Sequence, residues 1–519
     1  MRKAGVLLPI SSLASRHGIG TLGKTAYSFI DFLAEAGQSY WQVLPVGPTG
    51  FGDSPYQSFS AFAGNPYLID LPLLVQQGLL LHQEIGTEWG EVPSKVEYGL
   101  LFKKRFAVLA KAAARQNKAD PAYRAFCEAH ASWLDDYALY MAIKEAHGQV
   151  GLQHWPAPLR TRQPAALQQA AVQYAPRAEF WRCLQYFFFT QWQNLKTYAN
   201  QNGVELVGDI PIYVSDDSSD LWANPGLFQT DQNGHLSVVA GVPPDAFSAD
   251  GQLWGNPLYN WPAHKRTGYA WWMRRLAHSA ALFDVSRIDH FRGFCDYYAI
   301  PAGAKNARVG EWRPGPGKDF IRALHKKLPA MQIIAEDLGF LTPEVHELLA
   351  FSGYPGMKIL QFAFDSRDDS DYLPHNYHHH TVAYTGTHDN TTTQDWQYTA
   401  PKANVAFCRR YLGLTPHQNL TESLVRATLA SVAQTAIIPL QDWLHLGADA
   451  RINTPSTLGG NNWRWRLVPG QLPQALATHM RQQTALYGRL SAAQRAKVTA
   501  KTQQKELQTA LTTAEKAGQ

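Results

Sequence analysis

Eight short apolar segments, with helical patterns between several of them, constrain the fold of this 519-residue chain more than any other feature. Each segment is rich in the residues that form buried strands, and strand–helix–strand order favours a parallel sheet. Eight parallel strands are the number that closes a (β/α)8 barrel. We therefore predict an α/β fold of the TIM-barrel type, with strands over residues 4–10, 40–46, 204–212, 284–291, 331–338, 357–364, 381–388 and 436–443.

Two connections in this predicted barrel are much longer than a single crossover helix requires. After the second strand, helical patterns predict a mainly helical inserted subdomain over about residues 69–175. After the third strand, about 213–270 is rich in Gly, Pro, Asp and Trp and carries large apolar anchors, which is typical of a lid and not of a free linker. We treat residues 1–519 as a single catalytic barrel, with a tail over about 490–519 to which the sequence assigns no role.

Composition and charge exclude several classes of function. Apolar residues make up 45% of the chain and charged residues 17%, as in globular proteins with a large core. The formal net charge is only +5, and no run of Lys or Arg suits nucleic acid or anionic lipid. No segment approaches the ~18 uninterrupted apolar residues of a membrane helix, and the basic start is not followed by a leader cleavage site. We expect a cytoplasmic protein with a neutral substrate and with neither nucleic-acid nor membrane partners.

The cysteines and one histidine triplet give little support for a metal site. Cys127, Cys183, Cys295 and Cys408 are far apart and lack paired spacing, so we expect buried free thiols in a reducing compartment. The triplet at 378–380 resembles a metal-binding tract, but no further ligand pattern accompanies it, which favours an exposed segment that leads into a strand. We predict no metal and no cofactor.

Residues 18–25, Gly-Ile-Gly-Thr-Leu-Gly-Lys-Thr, satisfy both the phosphate-loop pattern and the dinucleotide glycine pattern. A nucleotide-binding enzyme is therefore one alternative. However, residues 11–17 separate the predicted strand from the first glycine, whereas a phosphate loop follows its strand directly. We expect a glycine-rich first βα loop, with Lys24 directed to solvent or to a nearby carboxylate.

Three of the predicted strands end in or just before a carboxylate: Asp289, Glu336 and Asp389. A polar residue at the carboxyl end of a barrel strand projects into the active-site mouth. Two carboxylates there can serve as nucleophile and acid/base of a retaining glycosidase, and a third can stabilise the cationic transition state. The alternative is a structural ion pair inside the barrel.

The neighbours of two of these carboxylates predict different pKa values. Arg287 and Asp289 are two apart on a strand and so project to the same face, and a guanidinium lowers the pKa of a nearby carboxyl. We therefore expect an ionised, nucleophilic Asp289. Apolar residues flank Glu336, so partial desolvation should raise its pKa, as a general acid requires.

Eight motifs together resemble those of the 4-alpha-glucanotransferases, which are also called amylomaltases or disproportionating enzymes. They extend from the first strand to about Arg466 and include YWQVLP (40–45), GDSPYQS (52–58), GDIP (208–211), PPDAFS (243–248), QLWGNP (252–257), RIDHFRG (287–293), AEDLG (335–339) and THDN (387–390). The resemblance implies that Asp289 is the nucleophile, Glu336 the acid/base and Asp389 the transition-state stabiliser.

The resemblance also implies a set of substrate-binding residues. Four of them would line the sugar subsite beside the broken bond: Tyr56, Asp209, Arg287 and His388. Trp254 and Asn256 lie in the motif of the lid, where Gly and Pro can shape a loop that presents an indole to a sugar chain. The alternative for Trp254 is a tryptophan that anchors the core.

The implied activity is transfer of 4-alpha-linked glucan segments between maltooligosaccharides by a retaining double displacement that needs no cofactor. An alpha-glucan hydrolase with the same carboxylates is the alternative. Phe51 stands where some family members have Tyr, so a secondary glucan-binding site does not follow from the resemblance. The sequence leaves chain-length preference and oligomeric state open.

Overall fold

A parallel β-barrel forms the centre of the molecule, which a computed structural model describes over residues 2–244, 248–339, 341–365 and 370–496. Eight strands pair in parallel in the order β10-β11-β12-β1-β2-β3-β6-β9. Each predicted segment overlaps one of these eight, which confirms the (β/α)8 fold. The twelve strands of the described residues are β1 (Lys3–Leu7), β2 (Tyr40–Gln42), β3 (Glu205–Pro211), β4 (Val238–Val242), β5 (Gln252–Pro257), β6 (Val285–Asp289), β7 (Asp296–Pro301), β8 (Glu311–Pro314), β9 (Gln332–Ala335), β10 (Gly356–Ile359), β11 (Thr381–Tyr384) and β12 (Thr435–Pro439).

The interior of the barrel is filled by side chains from every barrel strand. Successive residues of a strand face opposite sides, so alternate positions point inward. The members of this interior cluster are all buried: Leu7, Tyr40, Val207, Val285, Ile334, Met357, Ile359, Val382, Tyr384 and Ile437. The barrel is therefore a packed core and not a pore, and a substrate can reach it only at its ends.

The barrel closes at a seam between β9 and β10, the two ends of the strand order. The Ala335 N–H donates to the Pro355 carbonyl at 3.0 Å, and the buried Asp337 carboxylate accepts the Met357 N–H at 2.6 Å. A Cβ at Gly356 would lie 2.3 Å from an Asp337 oxygen, so the seam requires glycine there. The side chain of Asp337 thus accepts a hydrogen bond that a main-chain carbonyl would accept in a regular sheet, and it does so directly beside Glu336.

Helices surround the barrel and cover its outer face. The first helix, Lys24–Glu35, buries Phe29, Ile30 and Leu33, and the longest, Ala175–Gln201, precedes the third strand of the barrel. The helices are α1 (Lys24–Glu35), α2 (Leu71–Gln76), α3 (His82–Ile85), α4 (Tyr98–Arg115), α5 (Pro121–Ala146), α6 (Ala157–Arg160), α7 (Pro164–Gln173), α8 (Ala175–Gln201), α9 (Ser219–Ala223), α10 (Trp261–Arg266), α11 (Ala270–Leu282), α12 (Gly317–Lys327), α13 (Pro343–Ser352), α14 (Thr393–Thr399), α15 (Lys402–Tyr411), α16 (Leu420–Ala430), α17 (Leu440–Trp443) and α18 (Gln474–Leu486), and 492–496 are also helical.

A second sheet stands apart from the barrel and is formed by two separate parts of the chain. Its antiparallel order is β5-β4-β7-β8, and we call it the lid sheet. Strands β4 and β5 lie within the segment 213–270 that the sequence predicts as a lid. Strands β7 and β8 follow the barrel strand β6, and the sequence analysis did not predict them.

The last described residues are attached to the barrel near the start of β1. Arg489 is fully buried and donates to the carbonyl oxygens of Leu429 and Lys3, while Gln494 donates to the carbonyl of Gln38. Most of the predicted C-terminal tail, 497–519, lies outside the described residues, as do 245–247 of the lid. In the part of the chain that the structure describes, none of the helices has both the length and the apolar character needed to cross a membrane.

Candidate active site

Adjacent barrel strands bring Asp209, Arg287 and Asp289 together at their carboxyl ends. In the register of β3 and β6, Asp209 lies opposite Arg287 and Pro211 opposite Asp289. Arg287 Nη1 lies 2.7 Å from both Asp209 oxygens, and Nη2 donates to Asp289 Oδ1 at 2.9 Å. The Asp209 side chain is fully buried whereas that of Asp289 is 30% exposed, so Asp289 can be reached from the open carboxyl end of the barrel, which we call the groove. Arg287 therefore fixes a reachable carboxylate by one of its two oxygens.

The pKa of Asp289 is shifted in the direction opposite to the one the sequence predicts. Burial raises this pKa to about 6, and the nearby guanidinium of Arg287 opposes the rise without reversing it. Arg287 is shared with Asp209, whose negative charge also raises the pKa of Asp289. The expectation of a lowered pKa was therefore wrong. Even so, a carboxyl with a pKa of about 6 is mostly ionised at neutral pH.

Glu336 follows β9 directly, and main-chain groups hold both of its carboxylate oxygens. Oε2 accepts the His290 N–H at 2.6 Å and Oε1 accepts the Leu338 N–H at 2.8 Å. Burial, followed by the negative charge of Asp289, raises the pKa of Glu336 to about 7, as the apolar sequence around it predicts. The negative charge of ionised Asp289 thus helps Glu336 to keep its proton to higher pH.

Asp389, His388 and Tyr56 complete one wall of the site. His388 Nε2 lies 3.4 Å from Asp389 Oδ2, and its ring stacks on Tyr56 with 5.0 Å between the ring centres. The Tyr56 hydroxyl donates to Asp209 Oδ2 at 2.7 Å. Direct contacts therefore connect Asp389 to Asp209 and through Arg287 to Asp289. The side chain of Asp389 is 46% exposed, which leaves it accessible from the groove.

Trp254 and Asn256 lie on strand β5 of the lid sheet. The half-buried indole of Trp254 packs edge-on against the ring of His290, with 4.9 Å between the ring centres. Asn256 is buried, and its amide donates to the Val214 carbonyl at 2.8 Å and pairs with the amide of Gln57. Asn256 therefore joins the lid sheet to the loops that follow β2 and β3.

Sequence reasoning missed three residues that contact this wall. Asn453 donates to Asp389 Oδ1 at 2.7 Å, and Arg451 donates to the Asp389 carbonyl at 2.7 Å. The ring of Trp463 lies 5.8 Å from that of Tyr56. All three follow β12, the last barrel strand. Loops after barrel strands converge on the same end of the barrel, so their position was the available signal.

The match to known proteins covers nearly the whole chain. The family model described as 4-alpha-glucanotransferase matches residues 8–471. The 4-alpha-glucanotransferase of Streptococcus pneumoniae is 47% identical over 495 residues, which cover 94% of this chain and 98% of that protein. That of Thermus thermophilus is also 47% identical, over 91% of this chain and 96% of its own length. The chain belongs to the 4-alpha-glucanotransferase family.

A solved structure of the family has the same fold as this chain. The amylomaltase from Streptococcus agalactiae, solved in complex with acarbose, superposes with a TM-score of 0.92 at 41% identity, over 95% of this chain and all of that one. The family predicted from the sequence is thus confirmed. The enzyme class is confirmed with it, a transferase that acts on alpha-1,4-glucans.

In this family member the glycine-rich loop over 18–25 has structural contacts. The Gly20 N–H donates to the Ser11 carbonyl at 2.9 Å, and a Cβ at Gly23 would lie 2.0 Å from an oxygen of Asp70. A carboxylate thus occupies the start of α1, where a phosphate would have to bind and would be repelled. Lys24 is exposed, as expected. These contacts do not favour nucleotide binding.

The other candidate metal ligands are the histidine triplet and the four cysteines. The histidines at 378–380 are exposed and lead directly into β11. All four cysteines are free, but only Cys183 and Cys408 are buried, whereas Cys127 and Cys295 are partly exposed. Within the described ranges, no group of three or more His, Cys, Asp or Glu side chains could hold a metal ion.

Proposed function

We propose that the protein transfers 4-alpha-linked glucan segments between maltooligosaccharides by a retaining double displacement. The observation that carries this proposal is the geometry of two carboxyls at the carboxyl end of the barrel: Arg287 holds Asp289, and two main-chain N–H groups hold Glu336. Asp289 is partly exposed and is held by only one of its oxygens, which suits a nucleophile. Glu336 retains a proton in part of its population near neutral pH, which suits a general acid.

In the first half of the reaction, an oxygen of Asp289 attacks the anomeric carbon of the donor glucan. The bond between that carbon and the glycosidic oxygen breaks, and the proton of Glu336 goes to the departing oxygen. The product is an ester between Asp289 and the glucan segment, with inverted configuration. Asp389, beside His388, stabilises the positive charge that develops on the sugar.

In the second half, the 4-hydroxyl of an acceptor sugar attacks the same carbon. Its proton goes to the Glu336 carboxylate, the ester bond to Asp289 breaks, and the second inversion restores the original configuration. Atoms and charge balance without a cofactor. Each reaction returns both carboxyls to their starting protonation.

Tyr56, Asp209, Arg287 and His388 would line the subsite of the sugar that is attacked. Their mutual contacts support this role because they hold the polar groups in fixed positions around Asp289. Preorganised groups of this kind stabilise a transition state with little rearrangement. Bound acarbose in the Streptococcus agalactiae amylomaltase supports a glucan-like ligand for this groove.

Trp254 and Asn256 would act from the lid. We propose that the Trp254 indole stacks on a sugar and that Asn256 holds β5 against the barrel loops. A lid that limits the access of water to the ester favours an acceptor sugar over hydrolysis. The four free thiols support the further proposal that the enzyme works in the reducing cytoplasm.

A time course with maltotriose tests the function. Transfer should give glucose plus chains longer than maltotriose, while the concentration of reducing ends stays nearly constant. An alpha-glucan hydrolase with the same carboxylates would instead raise the concentration of reducing ends as maltotriose disappears. That result would overturn the proposed transferase activity.

A further inference from the structure

His290 lies between the lid sheet and the carboxylate of Glu336. We infer that His290 is a positioning residue, whose ring is seated by the lid sheet and whose main-chain N–H holds Glu336. The inference rests on the proposed role of Glu336 as acid/base. It assigns a task to a residue that directly follows the proposed nucleophile and has none in the mechanism above.

The backbone of His290 has an uncommon conformation for a residue other than glycine. Its φ of 53° and ψ of 50° place it in the left-handed region, which side chains other than glycine adopt at a cost. This turn directs the His290 N–H at Glu336 Oε2, 2.6 Å away. Next to it, the Phe291 N–H donates to the Glu336 carbonyl at 3.1 Å. The left-handed turn therefore connects the end of β6 to the end of β9.

The ring of His290 is held by aromatic residues of the lid segment. The indole of Trp254 meets it at 88° with 4.9 Å between ring centres, and the ring of Tyr213 lies 6.3 Å away. Gly293 lies close to the same ring, because a Cβ at that position would be only 3.3 Å from it. The lid sheet thus packs directly on the residue whose N–H holds Glu336.

The His290 ring is neutral near neutral pH. Burial, followed by the positive charge of Arg292, lowers its pKa to about 4. Its contact with Trp254 is therefore the packing of two uncharged rings and not a cation–π interaction. This packing does not change across the pH range in which Asp289 and Glu336 titrate.

The hydrogen bond from His290 favours the ionised form of Glu336. A donor to a carboxylate lowers its pKa, and this bond acts against the burial that raises the pKa of Glu336. Ionised Glu336 is the form that receives the proton of the acceptor sugar in the second half of the reaction. His290 therefore packs against the lid sheet with its ring and, with its main-chain N–H, keeps Glu336 ready to act as a base.

The test uses the conformational preference of position 290. His290→Val removes the ring and adds a β-branched side chain that the left-handed region disfavours, so the N–H should leave Glu336. His290→Gly also removes the ring but adopts this conformation freely. His445 has the same φ of 53° and contacts Glu422, outside the groove, so His445→Val is the matched control.

The readout is the basic limb of the pH dependence of kcat/KM with maltotriose, where Glu336 loses its proton. The other titratable groups that act on Glu336 are Asp289, Arg287 and Tyr372, and none of these variants changes them. In His290→Val we expect this limb to move about one pH unit higher. In His290→Gly and His445→Val the basic limb should stay within a few tenths of a pH unit of the parent value.

Two outcomes would overturn the inference: an unmoved limb in a folded His290→Val, or equal shifts in His290→Val and His290→Gly. If thermal melting shows that His290→Val does not fold, His290→Ala replaces it, because alanine differs from glycine there by one methyl group and still disfavours the left-handed region. Equal limbs in the Ala and Gly variants would then contradict the inference. Failure of the proposed function is recognised separately, by a basic limb that survives in Glu336→Gln.

Discussion

At the scale of single residues, the three carboxylates of the groove have different surroundings and so different chemistry. Asp289 shares one guanidinium with Asp209, Glu336 is held by two main-chain N–H groups, and Asp389 is half exposed beside His388 and Asn453. Burial raises the pKa of both Asp289 and Glu336, and the charge of Asp289 raises that of Glu336 further. Role assignment is therefore a matter of environment and not of residue type.

The roles of Asp289 and Glu336 can be separated by mutation. Asp289→Ala should lower transfer by on the order of 10⁴-fold or more with any donor, because no ester can form. Glu336→Ala should lower transfer from maltotriose by about 10² to 10⁴-fold but lose much less with glucosyl fluoride, whose leaving group needs little protonation. Initial rates with both donors provide the comparison. Equal responses of the two variants to glucosyl fluoride would show that the roles are misassigned.

The two pKa values predict a bell-shaped pH dependence of kcat/KM. Asp289 must be ionised, so activity should fall as the pH decreases through about 6. Glu336 must be protonated to act as an acid, so activity should fall as the pH increases through about 7. With glucosyl fluoride as donor, the acidic limb should remain and the basic limb should weaken. An unchanged basic limb with that donor would contradict the assignment of Glu336.

The sequence located these side chains but could not give the direction of every pKa shift. Strand ends and motif spacing placed Asp289 beside Arg287, as the structure has it. The wrong sign for Asp289 arose first from burial and then from Asp209, which is far away in the sequence and takes the other side of the same guanidinium. Burial depth and shared partners depend on the register of β3 with β6, which the sequence alone does not specify.

At the scale of secondary-structure elements, the sequence predicted all eight barrel strands. For the lid sheet it predicted only the segment that contains β4 and β5, and not β7 and β8. Buried parallel strands form continuous apolar runs that stand out in the sequence. Strand β8 lacks such a run, since it is mostly exposed and contains Glu311, Arg313 and Pro314. Strand β7 does contain a buried apolar run, over 297–300, which the sequence analysis did not assign to a strand. The pairing of β7 with β4 also joins segments separated by a barrel strand, which local patterns cannot reveal.

Strand β5 of the lid sheet gives a prediction about product choice. If Trp254 stacks on a sugar, Trp254→Ala should weaken acceptor use by about tenfold, on the order of 1 to 2 kcal/mol, and raise the fraction of turnovers that end in hydrolysis. A purely structural Trp would instead cost roughly 3 to 5 kcal/mol of stability on truncation. The measurements are thermal melting and the ratio of free glucose to longer oligosaccharides.

Trp312 provides the matched control for Trp254. It lies on β8, at the opposite edge of the same sheet, and stacks on Arg292 at 3.8 Å. Trp312→Ala should leave the product ratio unchanged. A large loss of stability in Trp254→Ala together with an unchanged product ratio would refute the acceptor role.

At the scale of the whole molecule, the barrel depends on one side chain at its point of closure. Asp337 completes the seam between β9 and β10 by accepting the Met357 N–H, and it follows Glu336 directly in the chain. The closure of the barrel and the placement of the acid/base thus rely on consecutive residues, 335–338. The AEDLG motif marks them in the sequence, but the need for glycine at 356 is visible only when β10 lies beside β9.

Gly356→Ala should therefore open the seam and disturb Glu336 with it. A Cβ at this position would lie 2.3 Å from an oxygen of Asp337, so either the carboxylate or strand β10 must move. We expect a loss of about 1 to 3 kcal/mol in the free energy of unfolding, typical of overpacking in a core, and a lower kcat. Gly99→Ala is the control, because a Cβ at Gly99 in α4 meets no atom within 4 Å and alanine favours a helix.

Asp337→Ala removes the atoms that the new methyl group would strike, so the double variant should be less destabilised than the sum of the single variants. Chemical denaturation of the four proteins decides this: strictly additive losses would mean that Gly356 and Asp337 do not act together in closing the barrel.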